Sequence, residues 1–498
     1  MELSEIIKLM NSPSRSDITL VTEAFSFAKS AHQGQTRFSG EPYFIHPFET
    51  AKILADLGMS AVTISAGLLH DCLEEGEIKE QEIEDKFGEE ILFLVQGTTK
   101  LGKLKYRGVQ RHNESLRKLF VAISRDIRII LIKLSDRLHN LRTLQYVPEN
   151  KRLRIATETL EIYVPIAYRL GIRKLNRQLE DLAFPYVYPE EFQKTTSLLK
   201  KRLAEDMEHL NKFQKSVKKI LFKKGIIKFS LDYRIKTLYS LFKKLEKKDW
   251  NIENIYDISA LRIVVFTTEE CYRILGIIHG TWRPLPGRIK DYIAFPKPNG
   301  YRALHTTIFT GYGNVVEIQI KTKEQYRESE YGIASHLSYK EKRPSNFFWI
   351  RRLLPFRNTL NKKSEKKEIN FDDVPSWIKE LVEFQKTTKE EAEIKEELQG
   401  DFFQQRIFVF TPKGDVIDLP IGSSPIDFAY AIHSDIGNHI FGAKVNGKIT
   451  SLESCLTNGN IVEIITKKES SPSQKWLKYV KTNAARKGIR TALQAKGK

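Results

Sequence analysis

GRIKDYIAFPKPNGYRALHTT, residues Gly287 to Thr307, brings aromatic, basic and turn-forming side chains together in one run. Such a run suits a loop that stacks on a base and grips phosphates. Tyr301 is the natural stacking platform, with Lys297 and Arg302 available to phosphate oxygens. Around it lie short β-branched runs, Leu261 to Phe266, Thr306 to Thr310 and Val315 to Ile320, broken by turns such as Gly311-Tyr312-Gly313. Helical stretches flank these runs, so residues 226–342 are expected to form a mixed α+β domain.

Charges converge on the same domain. Arg234 and Lys236 are followed by Lys243 and Lys244, and Asp257 precedes the expected strand that carries Arg262. Glu317 and Gln319 are two apart, so they share one face of a strand. Two carboxylates on neighbouring strands, set among Arg and Lys, suit Mg2+ held against a nucleoside triphosphate. Phosphoryl-type transfer needs charge neutralisation and in-line positioning more than covalent chemistry. A solvated, charged sheet edge would explain Arg234 and Lys236 but not the Gly287–Thr307 run.

N-terminal to this domain, residues 1–185 read as helices, with helical spacing in Val21 to His32 and Phe48 to Leu57. The run Ile127 to Leu134 could be a buried strand, but its continuation through Asp136, His139 and Asn140 favours a buried helix. His46 stands in Tyr43-Phe44-Ile45-His46-Pro47, His70 and Asp71 are adjacent, and Asp136 opens Asp136-Arg137-Leu138-His139-Asn140. Two imidazoles and two carboxylates make a ligand set for a divalent transition ion with positions left for water. Asp136 and Asn140, four apart, face the same way on a helix.

Residues 186–225 are Lys-rich and helical in pattern, a connector between domains. Residues 343–402 read as a linker and a charged helix from about Ser376 to Leu398. Beyond them Arg406 to Phe410, Val416 to Leu419, Ala443 to Val445 and Ile461 to Ile465 suggest a small β-rich module, residues 403–467, with one helix near Pro425 to His433. The 498 residues exceed what one core holds. The net charge of +19 suits polyanionic partners, nucleotides or RNA, without choosing between them. Three scattered cysteines fit a reducing cytoplasm, the N-terminus does not read as a secretion signal, and no membrane span is expected.

The N-terminal pattern, from Ala28 to Phe184, resembles the HD phosphohydrolase superfamily and more closely the hydrolase domain of the long RelA/SpoT-type alarmone enzymes. That resemblance implies manganese held by His46, His70, Asp71 and Asp136, with Glu74 and Glu75 beside the attacking water. It implies a nucleotide pocket lined by Arg37, Ser39, Lys133, Ser135, Asn140 and Thr143. The family reads His-Asp-x-x-Glu-Asp where this chain has Glu75 in the last place, one methylene longer. A shift of about an ångström is enough to weaken catalysis.

Phe229 to Lys340 resembles the synthetase domain of the same family, through the Gly287–Thr307 run, Val316 to Thr322 and Glu330 to His336. It implies a nucleotidyltransferase-like fold in which Arg234, Lys236, Lys243, Lys244 and Arg262 belong to the substrate site. Arg234, Lys243 and Lys244 would bind ATP, and Asp257 and Glu317 would handle magnesium. Tyr301 would stack on the acceptor guanine, with Lys297 and Gln319 in the same pocket, and His305 would touch phosphate. Glu317 would serve as base for the ribose 3′-hydroxyl or as metal ligand alone. Arg288-Ile289-Lys290-Asp291 matches the basic form of a motif associated with two-activity members. Arg406 to Gly414, Ala429 to His433 and Ala443 to Gly447 resemble a TGS domain, a β-grasp fold. His433 there falls where the long members meet the acceptor end of transfer RNA, on the ribosome. Residues 468–498 resemble the start of a regulatory region, here truncated, without the family's ACT-type domain.

The expectation is therefore a multidomain chain: an all-α HD-type hydrolase, an α+β synthetase and a small β-grasp TGS module. It would move pyrophosphate from ATP to GDP or GTP and remove it from (p)ppGpp. The alternatives are a synthetase with an impaired hydrolase, and an RNA-binding regulator acting through the TGS module.

Overall fold

Twelve of the sixteen residues between Ile127 and Arg142 are buried, and they form one helix, not a strand. A helix enclosed on nearly every side shows little amphipathic period, which is why the sequence left its first half ambiguous. The computed structural model describes residues 1–76, 78–102, 126–255, 257–297, 301–311, 315–340, 406–412, 416–457, 459–467 and 469–496. The chain divides into two units, Met1–Val382 and Glu383–Lys498. The expected linker and the helix from Ser376 to Leu398 lie outside the described residues.

The first unit begins as a helical array: α1 (Leu3–Leu9), α2 (Arg15–Ala31), α3 (Ile45–Asp56), α4 (Ala61–Leu69), the single turn α5 (Cys72–Glu75), α6 (Glu80–Phe87), α7 (Glu89–Gly102) and α8 (Ile127–Arg142). Local chemistry sets the starts. Ser14, Ser60 and Asp126 each accept a backbone N–H of the first turn of α2, α4 and α8. After α9 (Glu149–Glu158), a π-helical turn and α10 (Val164–Arg169) come α11 (Arg173–Val187) and the long α12 (Pro189–Lys223).

Then follow β1 (Ser230–Ile235), α13 (Leu238–Glu246), β2 (Ser259–Val265), α14 (Thr268–Thr281), β3 (Lys290–Asp291), β4 (Leu304–Phe309), β5 (Val315–Thr322), α15 (Lys323–Tyr331) and α16 (Ile333–Lys340). The strands form one sheet in the order β1-β2-β5-β4-β3. β2 and β5 are parallel and the other pairs antiparallel. Leu261, Ile263, Ile318, Ile320, Leu304 and Ile308 face a core completed by Cys271, Ile274 and Ile278 of α14 and Phe213, Val217 and Leu221 of α12. Because side chains alternate, the other face carries Asp232, Arg234, Ala260, Arg262, Glu317, Gln319 and His305. Register aligns them: Arg234 pairs with Ala260, Ala260 with Glu317, and His305 with Gln319. One apolar face thus fixes the position of every polar group on the other.

Helical array and sheet meet at α11 and α15. Gly332, at φ +52°, brings the chain so close that an added Cβ would stand 2.2 Å from the Leu170 carbonyl oxygen. Ile333 N–H donates to that oxygen at 3.0 Å, and Arg177 pairs with Glu330.

In the second unit β6 (Arg406–Phe410) pairs with β7 (Val416–Pro420), and β8 (Ile440–Val445) lies between β10 (Val462–Thr466) and β9 (Lys448–Thr450). A parallel bridge, Phe410 to Ile461, joins the two ribbons. They close over α17 (Pro425–Ile432) through Ile407, Val409, Leu419, Phe428, Leu456 and Val462. Buried Asp427 caps α17 with Ser424 and accepts Lys481 N–H, Thr482 N–H and the Thr482 hydroxyl. This ties the segment leading to α19 (Asn483–Lys496) onto the grasp, with the short α18 (Ser434–Asn438) between α17 and β8. Among the described residues no helix is long and apolar enough to cross a membrane.

Candidate active sites

Helix α8 supplies the first cluster with Asp136, α3 with His46, and the junction of α4 and α5 with His70 and Asp71. One ligand atom each from His46, His70 and Asp136 lie within 4.8 Å of one another, all buried. Asp71 borders this trio, with Oδ1 3.2 Å from His70 Nε2 and Oδ2 3.5 Å from His46 Nε2. The Tyr43 hydroxyl donates to Asp71 Oδ2 at 2.9 Å. His70 Nδ1 lies 2.8 Å from the Gly67 carbonyl oxygen, which only accepts, so His70 carries its proton there and offers a lone pair at Nε2. That Nε2 is 3.2 Å from His46 Nε2, an arrangement of nitrogen and carboxylate donors that a divalent cation fits.

Around the cluster, Lys133 Nζ is 2.7 Å from Asp136 Oδ2 and the Asn140 amide donates to Asp136 Oδ1 at 2.5 Å. Burial works to raise the Asp136 carboxyl, but the Lys133 ammonium holds it well below the usual range. Arg37 reaches Asn140 Oδ1 at 2.9 Å and Thr143 Oγ1 at 3.3 Å. Five of the expected residues, Arg37, Lys133, Asp136, Asn140 and Thr143, are therefore joined by direct contacts. Ser135 instead donates to the Leu131 carbonyl, and Ser39 donates to Glu41. Glu74 and Glu75 are exposed on the turn directly after Asp71.

The second cluster lies on the polar face of the sheet, a cleft of about 230 Å³ lined by Arg173, Arg234, Lys236, Lys244, Asp257, Ala260, Lys290, Tyr292, Lys297, Tyr301, His305, Glu317 and Gln319. Asp257 is bound by Lys236 at 2.5 Å and by Lys244. Burial opposes ionisation, yet the two ammonium groups hold Asp257 at about 2. Burial also lowers Lys236 to about 8, against the pull of Asp257, and lowers Lys297 to about 8 with help from Arg173. The Arg234 guanidinium donates to Gln319 at 3.1 Å.

His305 Nδ1 is 2.6 Å from Glu317 Oε1, and its Nε2 is 2.7 Å from the Tyr301 hydroxyl. Burial would raise Glu317, but the hydrogen bond from His305 keeps it below the ordinary value. An ionised Glu317 can only accept, so His305 holds its proton on Nδ1 and accepts from Tyr301. Tyr301 is 2% exposed, with the Arg173 guanidinium 4.0 Å from its ring centre. Its expected stacking face is thus covered by a residue of α11. Three expected residues, Arg262, Lys243 and the exposed Arg302, do not line this cleft. Arg262 forms two 2.8 Å bonds to Asp232 and Lys243 pairs with Glu246. In the second unit His433 is exposed and caps α18, accepting Asp435 N–H at 3.2 Å.

Tyr43, His139, Arg173 and Tyr292 were not among the expected site residues. Tyr43 and His139 stand three positions from His46 and Asp136, a helical spacing that offered a signal. Tyr292 lies within the quoted loop. Arg173 had no local signal, because only the packing of α11 on the sheet brings it there.

Residues 24–173 match the profile of the HD domain, 233–344 that of a region found in RelA/SpoT proteins, and 407–466 that of the TGS domain. A guanosine-3′,5′-bis(diphosphate) 3′-pyrophosphohydrolase of Aquifex aeolicus is 45% identical over 476 residues, 95% of this chain and 64% of that one. A GTP pyrophosphokinase of Myxococcus xanthus is 42% identical over 484 residues, 95% of this chain and 60% of that one. The chain thus spans less than two thirds of the length of these relatives. With the three regions in this order, and this identity along nearly all of its length, the chain is similar throughout to RelA/SpoT proteins.

Proposed function

We propose that the chain catalyses two opposed reactions at the two clusters. At the sheet, pyrophosphate passes from ATP to the 3′-hydroxyl of GDP or GTP. The 3′-oxygen attacks the β-phosphorus, the bond to the α-phosphate oxygen breaks, and AMP leaves. Arg234, Lys236, Lys244 and Lys297 neutralise phosphate charge. Asp257 and Glu317 fit Mg2+, a cation bound by one or two carboxylates together with substrate phosphates. Glu317 takes the 3′-hydroxyl proton or acts as a ligand only. Tyr301 stacks on guanine.

At the helical cluster (p)ppGpp is hydrolysed to GDP or GTP and pyrophosphate. His46, His70, Asp71 and Asp136 would hold the metal, with Mn2+ as the proposed ion. A bound divalent ion supplies an acidified water and polarises a phosphoryl oxygen. Arg37, Asn140 and Thr143 orient the nucleotide, while Glu74 and Glu75 lie towards the water. The carrying observation is that a buried His/Asp donor set and a cationic cleft with two carboxylates occur in one chain, whose relatives carry the names of both activities. For the second unit, engagement of transfer RNA through His433 on the ribosome is proposed.

One observation favours a second reading, a synthetase with a weak hydrolase: Glu75, longer than the family's Asp, is exposed beside the cluster. Incubation with ATP and GDP, then separately with ppGpp and Mn2+, tests both. Product in each assay supports the two-activity reading. Product only in the first supports the weak hydrolase, and none in either overturns the proposal.

A further inference from the structure

A ligating imidazole needs its second nitrogen held by a partner that fixes tautomer and ring orientation. For His70 that partner is the Gly67 carbonyl, 2.8 Å from Nδ1. Among the described residues no carbonyl meets His46 at its Nδ1. The atom facing it is Nδ1 of His139, at 2.8 Å, with both rings buried.

Two imidazole nitrogens at that distance share one proton, and either ring could own it. Arg37 decides. Its Nη1 lies 3.2 Å from the same His139 Nδ1, and a guanidinium only donates. His139 Nδ1 must therefore accept, which places the shared proton on His46 Nδ1. The lone pair of His46 is then on Nε2, the atom that lies 3.2 Å from both His70 Nε2 and Asp136 Oδ1. Arg37 is itself anchored by Asn140, next to His139 on that helix, and by Thr143 at its C-cap.

We propose that His139 is a positioning residue of the metal centre, holding His46 in the only tautomer able to ligate through Nε2. α8 then supplies both a ligand, Asp136, and the acceptor that orients another ligand. The same acceptor nitrogen joins His46 to Arg37, so a substrate-side guanidinium and a metal ligand share one atom. The proposal rests on the metal-site part of the proposed function.

The test uses the full chain, freed of metal, with Mn2+ alone as probe. Binding is read by calorimetry and by the electron paramagnetic resonance of free Mn2+. His139→Leu removes the acceptor and is expected to weaken Mn2+ about ten- to hundred-fold. His139→Asn places an amide oxygen near the position of Nδ1 and is expected to stay within about threefold of the parent chain, since an orienting acceptor is restored. Melting temperature without metal reports folding. Should His139→Leu not fold, 15N-histidine spectra of the unsubstituted metal-free chain test the same acceptor, with the His139 proton expected on Nε2 and none on its Nδ1. Equal Mn2+ affinity in His139→Leu, equal loss in Leu and Asn, or a His139 proton on Nδ1 each overturn the proposal while leaving the hydrolase reading intact. A parent chain that takes up no Mn2+ overturns both.

Discussion

Glu75 stands where the motif that the helical cluster resembles has Asp, and a test can be made with a single methylene. Its side chain is exposed on a four-residue turn whose first neighbour is Asp71. Its backbone carbonyl is held by Gln35, so the turn is tethered and the side-chain length sets the carboxylate position. Glu75→Asp is expected to raise hydrolytic turnover by up to about a hundredfold, the scale attached to an ångström of misplacement, with synthesis unchanged. Unchanged hydrolysis would show that Glu75 lies outside the chemistry. At this scale the sequence was most informative where chemistry is dense. His46, His70 and Asp136 were legible because two imidazoles and carboxylates have few structural uses together. The pairing of His139 with His46 was not, since they lie 93 positions apart and only folding sets them at 2.8 Å.

Among the elements, α11 does the most to join the parts of the first unit. It carries Glu180, whose carboxyl is raised to about 7 by burial and by neighbouring Asp181, against hydrogen bonds from Asn176 and Ser240. The folded chain thus keeps a proton that the unfolded chain releases near 4.5. The associated stability is complete below that value and is lost as pH rises through about 7. With about 1.4 kcal/mol per unit, the difference is on the order of 3 kcal/mol. Glu180→Gln, neutral and similar in shape, is expected to melt higher than the parent chain at pH 8.5 and equally at pH 4.5. Equal melting at both would remove Glu180 as the source. The elements were unevenly legible. β2, β4 and β5 read directly because one face of each is core. β1 did not, because its face toward the cleft is Asp232 and Arg234 and its edge position leaves it half exposed. Helix α8 was ambiguous for the opposite reason, burial on almost all sides.

For the whole first unit, the consequence of this packing is that a helical-array residue sits in the cleft of the sheet. Arg173 ends the HD match and begins α11, yet its guanidinium covers the Tyr301 ring at 4.0 Å. A base stacking on that face must displace it. Arg173→Ala is expected to lower the Michaelis constant for GDP about fivefold, for a cation–π contact of about 1 kcal/mol. A rise would show that Arg173 holds the nucleotide rather than covering its seat. No pattern in the sequence could have placed Arg173 there, because the contact depends on Gly332, Ile333 and the Arg177–Glu330 pair bringing two domains together. The claim on which the account stands is that the two clusters are separate active sites of opposite effect. Both activities of Asp136→Asn and Asp257→Asn test it most directly. Each substitution removes one carboxylate charge with little change of shape, so a cation at that site loses a ligand. Asp136→Asn is expected to lose at least about a hundredfold in hydrolysis and keep synthesis, and Asp257→Asn the reverse. If either variant loses both activities while its melting temperature is unchanged, or if Asp257→Asn transfers pyrophosphate at the parent rate, the two-site account is contradicted.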